Sequence, residues 1–192
     1  MSNVAFISDL FIDETVGGGE LNDYELIQLL LDRGHKVYRL KSKNVSVELL
    51  TELINEDLST NFIISNFRLL SEESKRFLYS PTFKKGQLRY MIYEHDHKYL
   101  KTRNPAAYKD FKAPREDLIN YEFYQNAIAV LCQSQFHADI VKLNLGFDNI
   151  VSLGGNLWST ETLDFLEEQS TQEKHPDKSF FRKHQRPSRA SW

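Results

Sequence analysis

The chain has 192 residues, of which 41% are apolar and 27% charged, and its net charge is −3. That length buries a core of ordinary size without staples, and the slightly acidic balance gives no whole-molecule field that attracts nucleic acid. A single cysteine, Cys132, rules out a disulfide framework within the chain, and no run reaches the roughly 18 apolar residues of a membrane span.

Met1-Ser2-Asn3 lacks the basic start of a secretory leader, and Asp9 interrupts the apolar stretch that follows, so the expected location is cytoplasmic. Val4-Ala5-Phe6-Ile7 reads as a strand buried on both faces. A polar loop with Asp9, Asp13, Glu14 and Thr15 leads to Gly17-Gly18-Gly19. Leu21, Tyr24, Ile27, Leu30 and Leu31 then recur at helical spacing, with Glu20 and Asp23 in the first turn and Gly34 as the C-terminal stop.

Further strands are expected at 35–40, 61–64, 89–93, 127–131 and 149–153. Helices are expected at 47–58, at 71–79 with Ser71 as N-cap and Pro81 as the stop, at 116–126, from Ser134 to about 143, and at 159–168. Strands alternating with helices predict an α/β fold: a Rossmann-like, doubly wound, mainly parallel sheet over residues 1–169. Residues 170–192 lose all apolar periodicity and carry six Lys or Arg against Glu173 and Asp177, so they read as a basic, disordered tail, either solvated or a contact for nucleic acid or a membrane.

Ligands of such sheets bind beyond the carboxyl ends of the strands. The polar groups expected there are Ser8-Asp9, Ser65-Asn66, Glu94-His95-Asp96-His97, Gln133-Ser134 and Gly154-Gly155-Asn156. The glycine loop brings backbone N–H groups and a helix N-terminus to one point, which suits an anion or a hydroxyl-rich ligand. It departs from a dinucleotide fingerprint. Asn22 stands where the third glycine belongs, and no acidic residue ends the second strand. No Gly-Lys-Ser/Thr follows, so it is not a Walker loop, and Glu20 suits a sugar hydroxyl better than a dense phosphate cluster. Ser134 reads either as a ligand contact or as the cap of its helix, and Cys132 as core. Lys98, Tyr99, Lys101 and Arg103 read either as a phosphate or glycan contact or as an exposed basic loop.

Gly17-Gly18-Gly19-Glu20, opening a helix that ends in Asp32-Arg33-Gly34-His35-Lys36-Val37, resembles the GGxE…RGHxV signature of GT-B-fold glycosyltransferases. More narrowly, it is similar to the retaining, nucleotide-sugar-dependent enzymes of the glycosyltransferase family 4 type. The likeness continues at AIAVLCQSQFHADI, residues 127–140, and spans about residues 3–165 as the N-terminal, acceptor-side half of such an enzyme. The resemblance implies half of a GT-B fold. It implies sugar transfer from a nucleotide-sugar to a glycan or other acceptor hydroxyl, with retention at the anomeric carbon.

It also implies no cofactor beyond that co-substrate and no catalytic metal. By the same resemblance, Gly17, Gly18, Gly19 and Glu20 shape the acceptor and donor-phosphate side of a cleft, and His95 or His97 contacts the transferred sugar. The donor-binding half of the family, with its E-x7-E glutamates, has no counterpart in this sequence. The chain then reads as a single-domain relative, a truncated product or one part of a split enzyme, with weak or no activity alone. A separate donor-binding domain or a homodimer would close the cleft. No catalytic residue is assigned. The alternative is a non-catalytic Rossmann-like module that recognises a glycan, a nucleotide or a partner subunit.

Overall fold

A computed structural model describes residues 2–56, 61–80 and 89–171. The chain divides into two compact units, one up to Leu157 and one from Trp158 onward.

The first unit alternates strands and helices. It contains β1 (Asn3–Ser8), α1 (Gly18–Asp32), β2 (Lys36–Lys41), α2 (Val47–Glu56), β3 (Asn61–Ile64), α3 (Glu72–Leu78), β4 (Arg89–Glu94), α4 (Tyr121–Gln125), β5 (Ala129–Cys132), α5 (Gln135–Leu145) and β6 (Ile150–Ser152). The strands form one six-stranded sheet in the order β2-β1-β3-β4-β5-β6, and every neighbouring pair is parallel. The fold is therefore α/β and Rossmann-like. The second unit is described through α6 (Thr160–Thr171), a helix with no buried residue. That helix runs two residues into the stretch read as a tail. The rest of the tail lies outside the described residues, as do Pro81 and the end of the second expected helix at Leu58.

Alternation along each strand builds two layers. Ala5, Ile7, Phe62, Ile64, Tyr90, Ile92, Val130 and Cys132 face the larger core, with Leu50, Ile54, Leu78, Phe123, Tyr124 and Val141 from α2 to α5. Val4, Phe6, Ile63 and Tyr93 face the other way and pack with Ile27, Leu26 and Leu30 of α1. Right-handed crossovers explain the division, because the chain moves outward from β1 to β2 and then back across it to β3. Strand order thus reverses between β1 and β3, and the crevice beyond their carboxyl ends is where such sheets bind ligands.

Helix α1 ends as Gly34 predicts. Gly34 adopts φ 80°, its N–H reaches the Leu31 carbonyl, and the His35 N–H reaches that of Leu30, a Schellman closure. The region after β4 differs from expectation. In place of one helix over 116–126 there is a 3₁₀ turn at Arg115–Asp117 and then α4. Asn120 breaks the run, at φ 54° with its Nδ2 donating to the Lys98 carbonyl at 2.9 Å. A tertiary tie overrides local helix propensity at that residue. Among the described residues, no helix is long and apolar enough to cross a membrane.

Candidate functional site

A cleft of about 350 Å³ opens over the carboxyl ends of the strands. Its wall includes Gly18, Gly19 and Glu20 from the start of α1, Asn66 after β3, His95, Asp96 and Lys98 after β4, Gln133 after β5, and Asn156 after β6. Five segments far apart in sequence converge there. Most of their groups are neutral hydrogen-bonding groups or carboxylates.

Asp23 organises the cleft floor. Its side chain is 2% exposed and receives three hydrogen bonds. Ser8 Oγ donates at 3.1 Å, Ser65 Oγ donates at 2.6 Å, and His95 Nε2 lies 3.0 Å away. One carboxylate therefore joins the ends of β1, β3 and β4 to α1. With Nε2 held by Asp23, the other ring nitrogen of His95, Nδ1, has no partner among the described residues. The ring lies against Tyr93 at 4.3 Å between centroids, and a Cβ on Gly19 would touch it at 3.6 Å.

Asn22 fills the place of the missing third glycine. It is buried, donates to the Gly18 carbonyl at 2.8 Å, and accepts from Tyr93 Oη at 3.3 Å and from the Leu157 N–H at 2.9 Å. The position that would bring helix and strand close in a dinucleotide fold is here a polar latch. The glycines keep space open instead of adopting left-handed backbone: a Cβ at Gly18 would meet nothing within 4 Å. At Gly17, the N-cap, the space a side chain would take is filled by the Glu20 carboxylate.

Asp9 contributes by scaffolding. Its two oxygens accept the N–H groups of Arg68 and Leu69, each at 3.0 Å, and so pin the loop that carries Asn66.

The Glu94-His95-Asp96-His97 run separates by role. Glu94 is fully buried, binds the Tyr124 hydroxyl and accepts the Asp96 N–H at 2.8 Å, with Lys98 Nζ 3.7 Å away. Burial alone would raise its pKa, but the Lys98 ammonium, the Tyr124 hydroxyl and the Asp96 N–H bring it down to about 2. Lys98 is only 3% exposed, and Glu94 and Asp96 more than offset burial, so its pKa stays above the ordinary value. His97 turns away from the cleft at φ 56°. It contacts Tyr99 Oη at 3.0 Å, and its ring lies tilted against that of His137, 4.4 Å between centroids. Burial lowers the pKa of His97, and it lowers that of His137 to about 4.

Ser134 caps α5, accepting the His137 N–H at 3.1 Å, while its neighbour Gln133 lines the cleft. Cys132 is core, its thiol pushed up to about 12 by burial. Of the seven residues assigned to the ligand site from sequence, Gly18, Gly19, Glu20 and His95 meet in the cleft wall, whereas Gly17, His97 and Ser134 are not part of its lining. No family model and no curated protein matches the chain.

Sequence reasoning missed Asn22 and Asp23 as site residues, although a signal existed. Asp23, Ile27 and Leu30 fall at i, i+4 and i+7, so Asp23 lies on the stripe that faces the sheet. The stripe read from sequence included Tyr24 and Leu31, which are 40% and 44% exposed. Among the described residues, no group of three or more His, Cys, Asp or Glu is arranged to hold a metal ion.

Proposed function

We propose that this domain is one wall of a sugar-transfer site, of the kind found in the acceptor-side half of GT-B-fold glycosyltransferases. The observation that carries the reading is the cleft at the β1/β3 reversal, lined by amide, carboxylate and imidazole groups around the Gly18-Gly19 opening. Hydroxyl-rich ligands are recognised by such a set, in which amides and imidazole donate and accept and carboxylates accept. The lysine in the wall, Lys98, is already matched by Glu94 and Asp96, so the cleft itself suits sugar hydroxyls more than a cluster of phosphates.

In this reading Glu20, Asn66 and Gln133 bind hydroxyls of the sugar or acceptor. His95, oriented by Asp23, presents its ring to the transferred sugar. The Gly18 and Gly19 backbone allows close approach of the ligand. The nucleotide of the co-substrate is held by a second domain or a second copy facing the cleft. The reaction moves a glycosyl group from a nucleotide-sugar to an acceptor hydroxyl, and the family resemblance implies retention.

A second reading is recognition without transfer. It is favoured by the internal pairing of Asp23, Glu94 and Asp96, which leaves Glu20 as the cleft carboxylate without a hydrogen-bond or ion-pair partner among the described residues. A transfer and donor-hydrolysis assay of the chain across common UDP- and GDP-sugars tests the one-wall reading. The expected result is weak or no turnover alone, and robust turnover by the isolated chain contradicts the one-wall reading.

A further inference from the structure

A second depression, of about 610 Å³, adjoins the cleft through Lys98, which lines both. Its wall carries Arg68 from the β3–α3 loop, Lys75 from α3, and Lys98, Lys101 and Arg103 from the segment after β4, with Glu72 as the carboxylate in the wall and with Glu94, Asp96 and Asp117 pairing the last three cations. The sequence shows only the last three as a local basic run. The fold adds Arg68 and Lys75 from more than twenty residues away, so the groove is a convergence and not a loop that happens to be basic.

Two of these cations are built into the groove floor. Lys98 and Lys75 are 3% and 8% exposed, and their ammonium groups lie 5.7 and 5.6 Å from the centroid of the same ring, that of Phe67. Holding each of these charges at a part-buried site is costly unless it is braced. The braces are present. Lys75 bonds Glu72 at 2.6 Å and Asn120 Oδ1 at 3.0 Å, and Lys98 is held by Glu94 and Asp96.

The segment is itself fixed. The Ile119 N–H bonds the Tyr99 carbonyl at 2.8 Å, and the Lys101 N–H bonds that of Asp117 at 3.0 Å. At the rim, Arg103 contacts Asp96 at 3.1 Å and Lys101 lies 3.4 Å from Asp117, whereas the Arg68 side chain has no partner among the described residues, and its own backbone is held by Asp9.

We propose that this groove binds the phosphate group of a ligand whose hydroxyl-bearing end occupies the adjoining cleft. Guanidinium and ammonium groups placed around one depression match a phosphate ester through charge-assisted hydrogen bonds, and an unengaged arginine supplies a bidentate contact. The ligand class is a phosphorylated sugar or a phosphate-linked acceptor. The proposal rests on the sugar-site reading only for which end of the ligand enters the cleft.

The test is an amide NMR titration of the full chain with inorganic pyrophosphate at low salt. Saturable shifts are expected at Arg68, Lys101 and Arg103. The Arg68→Gln/Arg103→Gln double variant should keep its melting temperature and bind at least about tenfold more weakly, and added salt should weaken binding in both. Absence of saturable shifts at those amides, or an unchanged affinity in the double variant, overturns the proposal. Vesicle pelleting separates the sources of the phosphate. Binding to phosphatidylglycerol but not phosphatidylcholine vesicles, lost in the double variant, supports a lipid headgroup. Pyrophosphate binding without pelleting supports a soluble phosphate ester. Nucleotide-sugar shifts at Gly18 and Gly19 report the cleft separately, so the failure of one site is distinguishable from the failure of the other.

Discussion

Asp23 and Glu94 are both buried carboxylates at the carboxyl ends of the sheet, and they do opposite work. Asp23 gathers two serine hydroxyls and a histidine whose ring lines the cleft. Glu94 is closed off by Tyr124, Lys98 and the Asp96 backbone, with no face toward the ligand side. The first arranges groups that a ligand can meet. The second holds the turn that delivers those groups. The same division recurs inside the charged run after β4, where His95 lines the cleft and its neighbour Glu94 supports the turn, and burial together with the identity of the partner decides which.

The largest effect is expected at Glu94. Glu94→Ala leaves the Lys98 ammonium buried beside too little negative charge, and we expect a loss of about 3–5 kcal/mol in chemical denaturation. A loss below 1 kcal/mol would mean that the network is not supporting the turn.

Acid comes next. His137 ionises near its ordinary value of 6.5 when unfolded and at about 4 when folded, because burial disfavours its charged form. Between those values the unfolded chain binds the extra proton, so stability rises with pH across that window and is lost as pH falls through it. The size is about 3 kcal/mol for the full shift. Glu94 extends the same trend lower, since its stabilisation is present above its unfolded value and is lost as pH falls toward about 2. Urea midpoints measured from pH 7 to pH 4 should fall steadily in the native chain and distinctly less in His137→Phe. Equal slopes would remove His137 as the cause.

A smaller effect belongs to Ser134. Ser134→Ala should cost about 1 kcal/mol through loss of the cap, and Ser134→Thr should recover most of it. If Thr behaves like Ala, the hydroxyl is serving something other than the cap.

Much of the fold was legible in the sequence because its elements are locally consistent. The strand at 61–64, the Ser71 cap and the Gly34 stop each follow from nearby residues. The helix expected at 116–126 was not legible, since Asn120 is drawn out of the run by a carbonyl on another segment. The cleft was half legible. Strand-end polar residues pointed to it, and Gly18, Gly19, Glu20 and His95 line it. Asp23 escaped because acidic residues in a first helical turn are ordinarily explained by the helix dipole, and its distant partners Ser65 and His95 come together only in three dimensions. The basic groove was half visible for the same reason: Lys98, Lys101 and Arg103 are neighbours in sequence, but Arg68 and Lys75 join them only through the β3–α3 connection.

On the proposed function, the cleft ordered by Asp23 receives a sugar ligand. The most direct test is an amide NMR titration of the native chain and of Gly18→Leu with a UDP- and a GDP-sugar series. Saturable shifts are expected at Gly18, Gly19, Asn66 and Asn156 in the native chain. They should be lost in the variant, because a leucine side chain would enter space that is open at Gly18. Saturable binding that leaves those four amides unmoved, or no binding at millimolar ligand, would contradict that function.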